Sequence, residues 1–296
     1  MRTHHSRIRV GYLACMAIVV AAAATACGGS GTPPGTLYII VTPPPATPTP
    51  IATPTPIPTP TATPSPTESP SPTLSPTPAP TPVVSGAVIT SAASDGRWTV
   101  KFTKPVVSGI PSAAAAKMNT AINARVNALI HDFNGSELPV PASGDGPSTF
   151  VGNYTVALAS PTLLSIRLAV DQYVSGAAHP SHFAATLNFK ASSGAAIALP
   201  DLFSDTSAAL GVLSLQSRTM LVAQLGPGEA ATINGGTTPV LSNFDSAWAF
   251  TNGGLELTFQ EYSVGAYADG SPKIVIAWSD LAGNIKPTGP AGEFLP

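Results

Sequence analysis

Proline occupies nearly every second position between Pro43 and Pro82, mostly in Thr-Pro, Ser-Pro and Ala-Pro steps. Each proline removes a backbone donor and fixes φ, so neither a helix nor a sheet can form across this stretch. We predict a disordered, extended Pro/Thr-rich stalk, which at ~3.1 Å per residue reaches roughly 120 Å. The folded part must therefore lie in the ~200 residues that follow, which are enough to bury a core.

The N-terminus has the features of a bacterial lipoprotein signal. Three arginines precede an apolar run that leads into Ala24-Thr25-Ala26-Cys27. The run is shorter than the ~20 residues that a membrane span needs, and it has the length of a signal-peptide core. No cysteine follows Cys27, so this thiol has no disulfide partner in the exported chain, and lipidation explains it. The alternative is an ordinary secretory signal in which Cys27 is incidental.

These features divide the chain into a signal peptide (1–26), a lipid anchor with a Pro/Thr/Ser-rich linker (27–85), an extracellular domain (86–287) and a C-terminal tail (288–296). We predict a lipoprotein at the outer face of the bacterial cell membrane, held by acyl chains such as palmitate on Cys27. The processed chain keeps ten basic and fifteen acidic side chains, a net charge of −5. It therefore has no basic field for nucleic acid, and no cofactor is predicted.

The residues after the stalk predict the order β-β-α-β-β-β-α-β-β-β. Pro111-Ser112 opens a helix whose apolar residues from Met118 to Phe133 recur at spacings of 3 and 4, and Asn134-Gly135 ends it. A second helix is predicted over Thr206–Leu225. The predicted strands are Ala87–Thr90, Trp98–Thr103 (ended by Pro105), Asn153–Leu158, Leu163–Tyr173, Phe183–Phe189, Trp248–Thr251, Leu255–Phe259 and Lys273–Trp278. Strands in consecutive hairpins favour an α+β fold, with two main helices packed on a largely antiparallel sheet.

Three motifs in order carry a resemblance to a known family: YVSGAAHP (Tyr173–Pro180), LPDLF (Leu199–Phe203) and FQEYSVGAYADG (Phe259–Gly270). The segments Asn188–Gly194 and Lys101–Asn127 add to the same resemblance. As a set they resemble the extracellular domain of RsiV-type anti-sigma factors, which also precedes the catalytic part of PdaC-type peptidoglycan deacetylases. The resemblance covers 87–283 and implies a strongly bent antiparallel sheet. In the anti-sigma members this domain binds lysozyme. Because neither a sigma-binding segment nor a deacetylase module is found, we expect a binding fold without either output.

The sequence also contains candidates for metal binding and for hydrolysis. His179 and His182, with Asp171 as a third ligand, would suggest zinc, but a proline separates the histidines and no H-E-x-x-H is present. We favour a turn in which His179 hydrogen-bonds the backbone, and no metal site is predicted. Glu256 and Glu261 could pair for glycoside hydrolysis, although Glu256 lies on the polar side of an alternating strand and is interpreted as solvated. Without Gly-x-Ser-x-Gly or a later cysteine, no catalytic residue is predicted.

Two functions follow. The favoured one is a lipid-anchored, cell-surface, non-catalytic binding module for a lysozyme-like protein or a cell-wall glycan, and the alternative is an envelope hydrolase acting on peptidoglycan. Gly- and Pro-bearing loops around 177–182 and 262–270 are where binding residues concentrate. An aromatic surface from Tyr262, Tyr267, Trp248 and Trp278 competes with the interpretation that these rings are core. The candidate ligand-binding residues are Tyr173, His179, His182, Tyr262 and Tyr267.

Overall fold

The computed structural model of the protein describes residues 78–295. The predicted signal peptide, Cys27 and the stalk as far as Thr77 lie outside the described residues. Within them, Pro78 to Thr81 are exposed, and the first strand begins at Val83. The strand thus reaches into the range that the sequence assigned to the linker.

The α+β class and the largely antiparallel pairing are confirmed, and the strands form two sheets. A five-stranded sheet has the order β1-β2-β3-β4-β5, and a three-stranded sheet has the order β6-β7-β8. The strands are β1 Val83–Ala92, β2 Trp98–Ser108, β3 Ser148–Ala159, β4 Leu163–Tyr173, β5 Ser181–Lys190, β6 Trp248–Phe250, β7 Gly254–Thr258 and β8 Lys273–Ala277. Every neighbouring pair is antiparallel except β2 and β3.

The first core lies between the five-stranded sheet and the helix α1, Ser112–Asn134. Since α1 connects β2 to β3 as a crossover, that pair is parallel. The helix buries residues that recur every three or four positions, which is the apolar stripe that the sequence predicts. These residues are Ala114, Met118, Ile122, Val126, Leu129 and Phe133.

The second core lies around α2, Thr206–Leu225, and the three-stranded sheet. Asp205 caps this helix, because its carboxylate accepts a hydrogen bond from the Ala208 backbone N–H at 3.1 Å. Two short helices, α3 Ala230–Gly236 and α4 Trp278–Leu281, complete the domain. Within residues 78–295, no helix has both the length and the apolar character for crossing a membrane.

The first part of strand β4 is buried on both faces and joins the two cores. Its residues Leu164 and Ile166 belong to the core under α1, whereas Ser165 on the opposite face is also fully buried. The Ser165 hydroxyl donates to Asn188 Oδ1 and accepts from the Phe250 backbone N–H at 3.1 Å. Asn188 Nδ2 in turn donates to the Trp248 carbonyl at 2.9 Å. These buried bonds attach β6 to the first sheet without a strand ladder.

One local prediction was wrong, at a proline. Strand β2 continues through Pro105 to Ser108, because its pairing with β3 ends at Phe102 and only β1 flanks it beyond that point. A proline that lacks an N–H is tolerated where one side of the strand is unpaired. The segment Leu199–Leu202, which begins the LPDLF motif, forms a 3₁₀ helix with Pro200 in its first turn.

Candidate functional site

The segment after β7 covers the outer edge of β5, the last strand of the five-stranded sheet. The Gln260 side chain pairs with both backbone groups of Ala184, accepting from its N–H at 3.0 Å and donating to its carbonyl at 2.8 Å. The His182 backbone N–H donates to Glu261 Oε2 at 3.0 Å. Unpaired strand edges are prone to aggregation. Here the side chains of Gln260 and Glu261 form hydrogen bonds with backbone groups of the β5 edge. Gln260 was missed as a positioning residue, and no local sequence signal identifies it.

This edge carries a stacked group of three rings, His179, Tyr262 and Tyr267, which we call the aromatic cluster. The centroids of His179 and Tyr267 lie 3.9 Å apart, and those of Tyr262 and Tyr267 lie 5.9 Å apart. The Tyr267 hydroxyl donates to the Pro180 carbonyl at 3.0 Å, and the Tyr262 hydroxyl lies 3.3 Å from His179 Nε2. The cluster therefore joins the two loops that the sequence predicts as binding loops.

Tyr262 is the outermost member of the aromatic cluster. Its side chain is 57% exposed, and its φ is +63°, which makes it the one non-glycine residue with positive φ among residues 78–295. A bulky residue in the left-handed region is a genuine outlier. Neighbouring contacts must therefore maintain this backbone conformation, and the ring that it presents to solvent adds little to the core.

Two carboxylates, Asp171 and Glu261, contact His182 at the edge that carries the aromatic cluster. Asp171 and His182 are direct partners across β4 and β5, and His182 Nδ1 lies 2.5 Å from Asp171 Oδ1. Desolvation first, and then the charge of Glu261 and of an ionised Tyr262, raise the pKa of the Tyr267 hydroxyl. Tyr267 consequently keeps its proton at neutral pH and remains the donor to Pro180. Asp171 and Glu261 therefore place two carboxylates against His182.

The structure brings together His179, Tyr262 and Tyr267, and it places His182 beside them through Glu261. Tyr173 is half-buried at the end of β4, where its ladder partner is Thr149 of β3. Its ring takes part in none of the aromatic pairs found in the described part of the chain.

The two candidate tryptophans belong to the core. Trp248 and Trp278 are 3% and 5% exposed, respectively, so they form no aromatic surface with the tyrosines. Trp278 stacks on Phe294 with a centroid distance of 4.5 Å and donates its indole N–H to the Thr251 carbonyl at 2.9 Å. The surface interpretation thus applies to Tyr262 and its neighbours only.

The side chains of His179 and His182 contact groups of the protein itself. His179 Nδ1 lies 2.9 Å from the Pro180 carbonyl, as the predicted turn requires, and the ring of His182 contacts Asp171. Between residues 78 and 295, no three His, Cys, Asp or Glu side chains assemble into a group that could hold a metal ion.

Glu256 was wrongly interpreted as a solvated residue. It is 6% exposed and pairs with Arg167 of β4, while Lys273 Nζ lies 3.7 Å from its second oxygen. Burial lowers the pKa of the Arg167 guanidinium, and the adjacent carboxylate supplies the compensating charge. The polar face of β7 meets the polar face of β4 rather than water, which period-two alternation cannot reveal. Glu256 therefore serves as an internal ion-pair partner.

Comparison with known proteins finds a family that the second half of the domain is similar to. Residues 200–279 match a family described as a protein of unknown function, DUF3298. A crystal structure of a DUF3298 family protein from Pseudomonas aeruginosa PAO1 is similar at a TM-score of 0.52 and 17% identity, covering 74% of this chain and 98% of that one. This likeness shows a shared fold.

A DUF3298 family member from Bacteroides fragilis NCTC 9343 gives a TM-score of 0.46 at 18% identity, covering 73% of this chain and 97% of that one. No curated protein matches the chain significantly in sequence.

Proposed function

We propose that the domain after the stalk is a non-catalytic binding module at the cell surface, and that its ligand is a basic protein of the lysozyme kind. The observation that carries the proposal is Tyr262, a largely exposed aromatic residue held at φ +63°. Strained backbone persists where surrounding contacts over-determine it, and it concentrates at ligand-binding positions. Tyrosine is also enriched among the residues that dominate binding energy at protein interfaces.

Charge supports a basic ligand. Asp171 and Glu261 contact His182 at the same strand edge as the aromatic cluster, and the processed chain carries a predicted net charge of −5. Opposite charge accelerates the encounter of two proteins and contributes to specificity. The resemblance of the three motifs to RsiV-type ectodomains supports a lysozyme-like partner, while a wall glycan remains the alternative ligand.

Tyr262→Gly is expected to weaken lysozyme binding by about tenfold or more, because it removes the exposed ring. The same change relieves the positive φ, since glycine adopts that conformation readily, so the thermal midpoint should not fall. Isothermal calorimetry with the purified full chain measures the affinity at low and at moderate ionic strength. Higher ionic strength should weaken binding because surface charges are screened.

Leu215→Ala is the matched control, because Leu215 of α2 is 65% exposed and lies outside the aromatic cluster. It should bind lysozyme as the wild type does. Absence of heat with lysozyme at micromolar concentrations would exclude this partner and leave the wall glycan. Release of sugars or acetate from peptidoglycan by the wild-type chain would replace the binding function with a hydrolase.

We further propose that a lipid on Cys27 holds the module at the outer face of the membrane. One acyl chain binds marginally, and two anchor stably, so the mature N-terminal peptide should carry a diacylated Cys27. Cys27→Ser should shift the protein to the medium or leave the signal uncleaved, as fractionation and mass spectrometry would show. A mature N-terminus at another position without an acyl group would exclude the anchor.

A further inference from the structure

Strand β1 forms one edge of the five-stranded sheet, and its outer side is open. Within residues 78–295, β1 pairs with β2 only. The strand has ten residues, contains neither a charged side chain nor a proline, and leaves Val88 64% exposed. Natural edge strands are usually short, charged, interrupted by proline or covered, because an open edge pairs with other strands. The opposite edge, β5, is covered by Gln260 and Glu261.

The even-numbered residues of β1 present their backbone groups to the open side. The Ala93 N–H donates to the Trp98 carbonyl at 3.0 Å, and the register of β1 with β2 has no shift. Because residues of an antiparallel pair alternate between bonded and non-bonded positions, the odd-numbered residues bond to β2. Pro105 agrees with this assignment, since it lies opposite Gly86, where β2 needs no N–H. The outward residues are Val84, Gly86, Val88, Thr90 and Ala92.

The open stretch is bounded at both ends. Pro82, the next outward position before Val84, has no N–H. After Ala92 the chain turns back into β2. The centre of the stretch from Val84 to Ala92 is Val88. An antiparallel pair centred on Val88 therefore places every outward residue opposite another outward residue.

We propose that β1 pairs with β1 of a second copy of this chain, antiparallel and centred on Val88, with a two-fold axis between the two Val88 residues. Every outward N–H and C=O from Val84 to Ala92 then has a partner, and the two five-stranded sheets become one continuous sheet. The pairing uses the open edge of both copies, so the assembly closes as a dimer and does not grow into a fibre. The dimer goes beyond the proposed binding function and does not depend on it.

The charges near β1 permit a second copy to pair with it. The strand itself has no charge, so no like charges meet across the axis. The cations of the neighbouring strand are Lys101 and Lys104. Three strand spacings, ~14 Å, would separate the two β2 strands, which exceeds the Debye length of ~8 Å. In the turn after β1, Asp95 and Arg97 pair with each other.

The length of the chain before β1 also suits a second copy. Antiparallel β1 strands place the two stalks at opposite ends of a pair that is ~34 Å long. The predicted stalk reaches roughly 120 Å, so both copies can be anchored in one membrane. The stalk itself cannot occupy the edge, because a proline at nearly every second position removes the N–H groups that a strand ladder needs.

Sedimentation velocity of the purified full chain at increasing concentration measures the dimer. The wild type is expected to shift to twice the monomer mass. Val88→Lys places like charges opposite each other at the axis and should raise the dimer Kd at least about tenfold. Val88→Glu should do the same, and an equimolar mixture of the two variants should recover the dimer, because lysine then faces glutamate. Both variants should fold, since the side chain at this position is largely exposed.

Val151→Lys is the matched control. Val151 is 43% exposed, but its strand β3 lies between β2 and β4, so this variant should dimerise as the wild type does. Tyr262→Gly should also leave the dimer unchanged, which separates the β1 edge from the aromatic cluster.

Amide hydrogen exchange, followed residue by residue in solution NMR, tests the register. The N–H groups of Gly86, Val88 and Thr90 should be protected in the wild-type dimer and should exchange rapidly in Val88→Lys. Protection of these groups in a monomer would mean that another segment of the chain covers the edge, which would overturn the proposal. So would a wild type that stays monomeric, a Val88→Lys variant that dimerises normally, a mixture of charge variants that does not dimerise, or a Val151→Lys variant that dimerises as weakly as Val88→Lys.

Discussion

Glu256→Leu is expected to lower the free energy of unfolding by about 3–5 kcal/mol. The Glu256 and Arg167 side chains are only 8% and 16% exposed, so removing the carboxylate leaves a buried guanidinium without its counter-charge. Arg167 would keep a hydrogen bond to Thr155 Oγ1 at 3.1 Å, which carries no charge. Urea unfolding followed by fluorescence of the buried Trp248 and Trp278 measures the change.

The double replacement Arg167→Met with Glu256→Leu should recover most of this loss, because apolar side chains of similar volume replace a buried pair at little or no cost. Asp95→Ala is the matched surface control. The Asp95 and Arg97 side chains are 48% and 40% exposed, and exposed pairs contribute little, so the urea midpoint should not move. A wild-type midpoint for Glu256→Leu alone would show that the buried charge at Arg167 needs no partner.

Gly152→Ala is expected to lower the free energy of unfolding by about 1–3 kcal/mol or more. Gly152 of β3 pairs with Phe102 of β2, and an added methyl group would overlap the Phe102 ring. That ring cannot move aside, because it is fully buried and stacks on Phe150 with a centroid distance of 6.3 Å. A glycine inside a strand thus marks the close approach of a side chain to the backbone.

The same substitution at Gly211 is expected to raise the stability instead of lowering it. No atom lies within 4 Å of a methyl group added at Gly211 in α2, and alanine is the better helix former, so stability should rise by about 0.5–1 kcal/mol. Combining Gly152→Ala with Phe102→Leu should restore part of the loss by making room. Equal unfolding midpoints for Gly152→Ala and the wild type would mean that β2 and β3 are not packed as described.

The aromatic cluster could be predicted only in part. The motifs identified His179, Tyr262 and Tyr267 as candidates, but not that the three rings stack. His179 and Tyr262 are separated by 83 positions in the chain, and they meet because Gln260 and Glu261 attach their segment to the edge of β5. Tyr173, from the same motif as His179, is not part of the stack, since it ends β4 beside β3.

The local pattern of apolar residues was sufficient to predict the long helix α2 and the long strand β4. The bounds of α2 and β4 agree with the sequence prediction. Apolar residues three or four positions apart share one face of a helix, and residues two positions apart share one face of a strand. The dipeptide Asn252-Gly253, which lies between β6 and β7, is typical of a tight hairpin turn. Such patterns depend on neighbouring residues only, so contacts with distant parts of the chain do not change the helix or strand that they predict.

The sequence by itself determined the α+β class, the two main helices and the alternation along β4. Only the tertiary structure decided that the strands divide into two sheets and that Glu256 is buried against Arg167. Alternation tells that a face is polar but not what lies opposite to it. Whether that face meets water or another polar face depends on contacts between residues far apart in the chain, and those exist only once the sheets have packed.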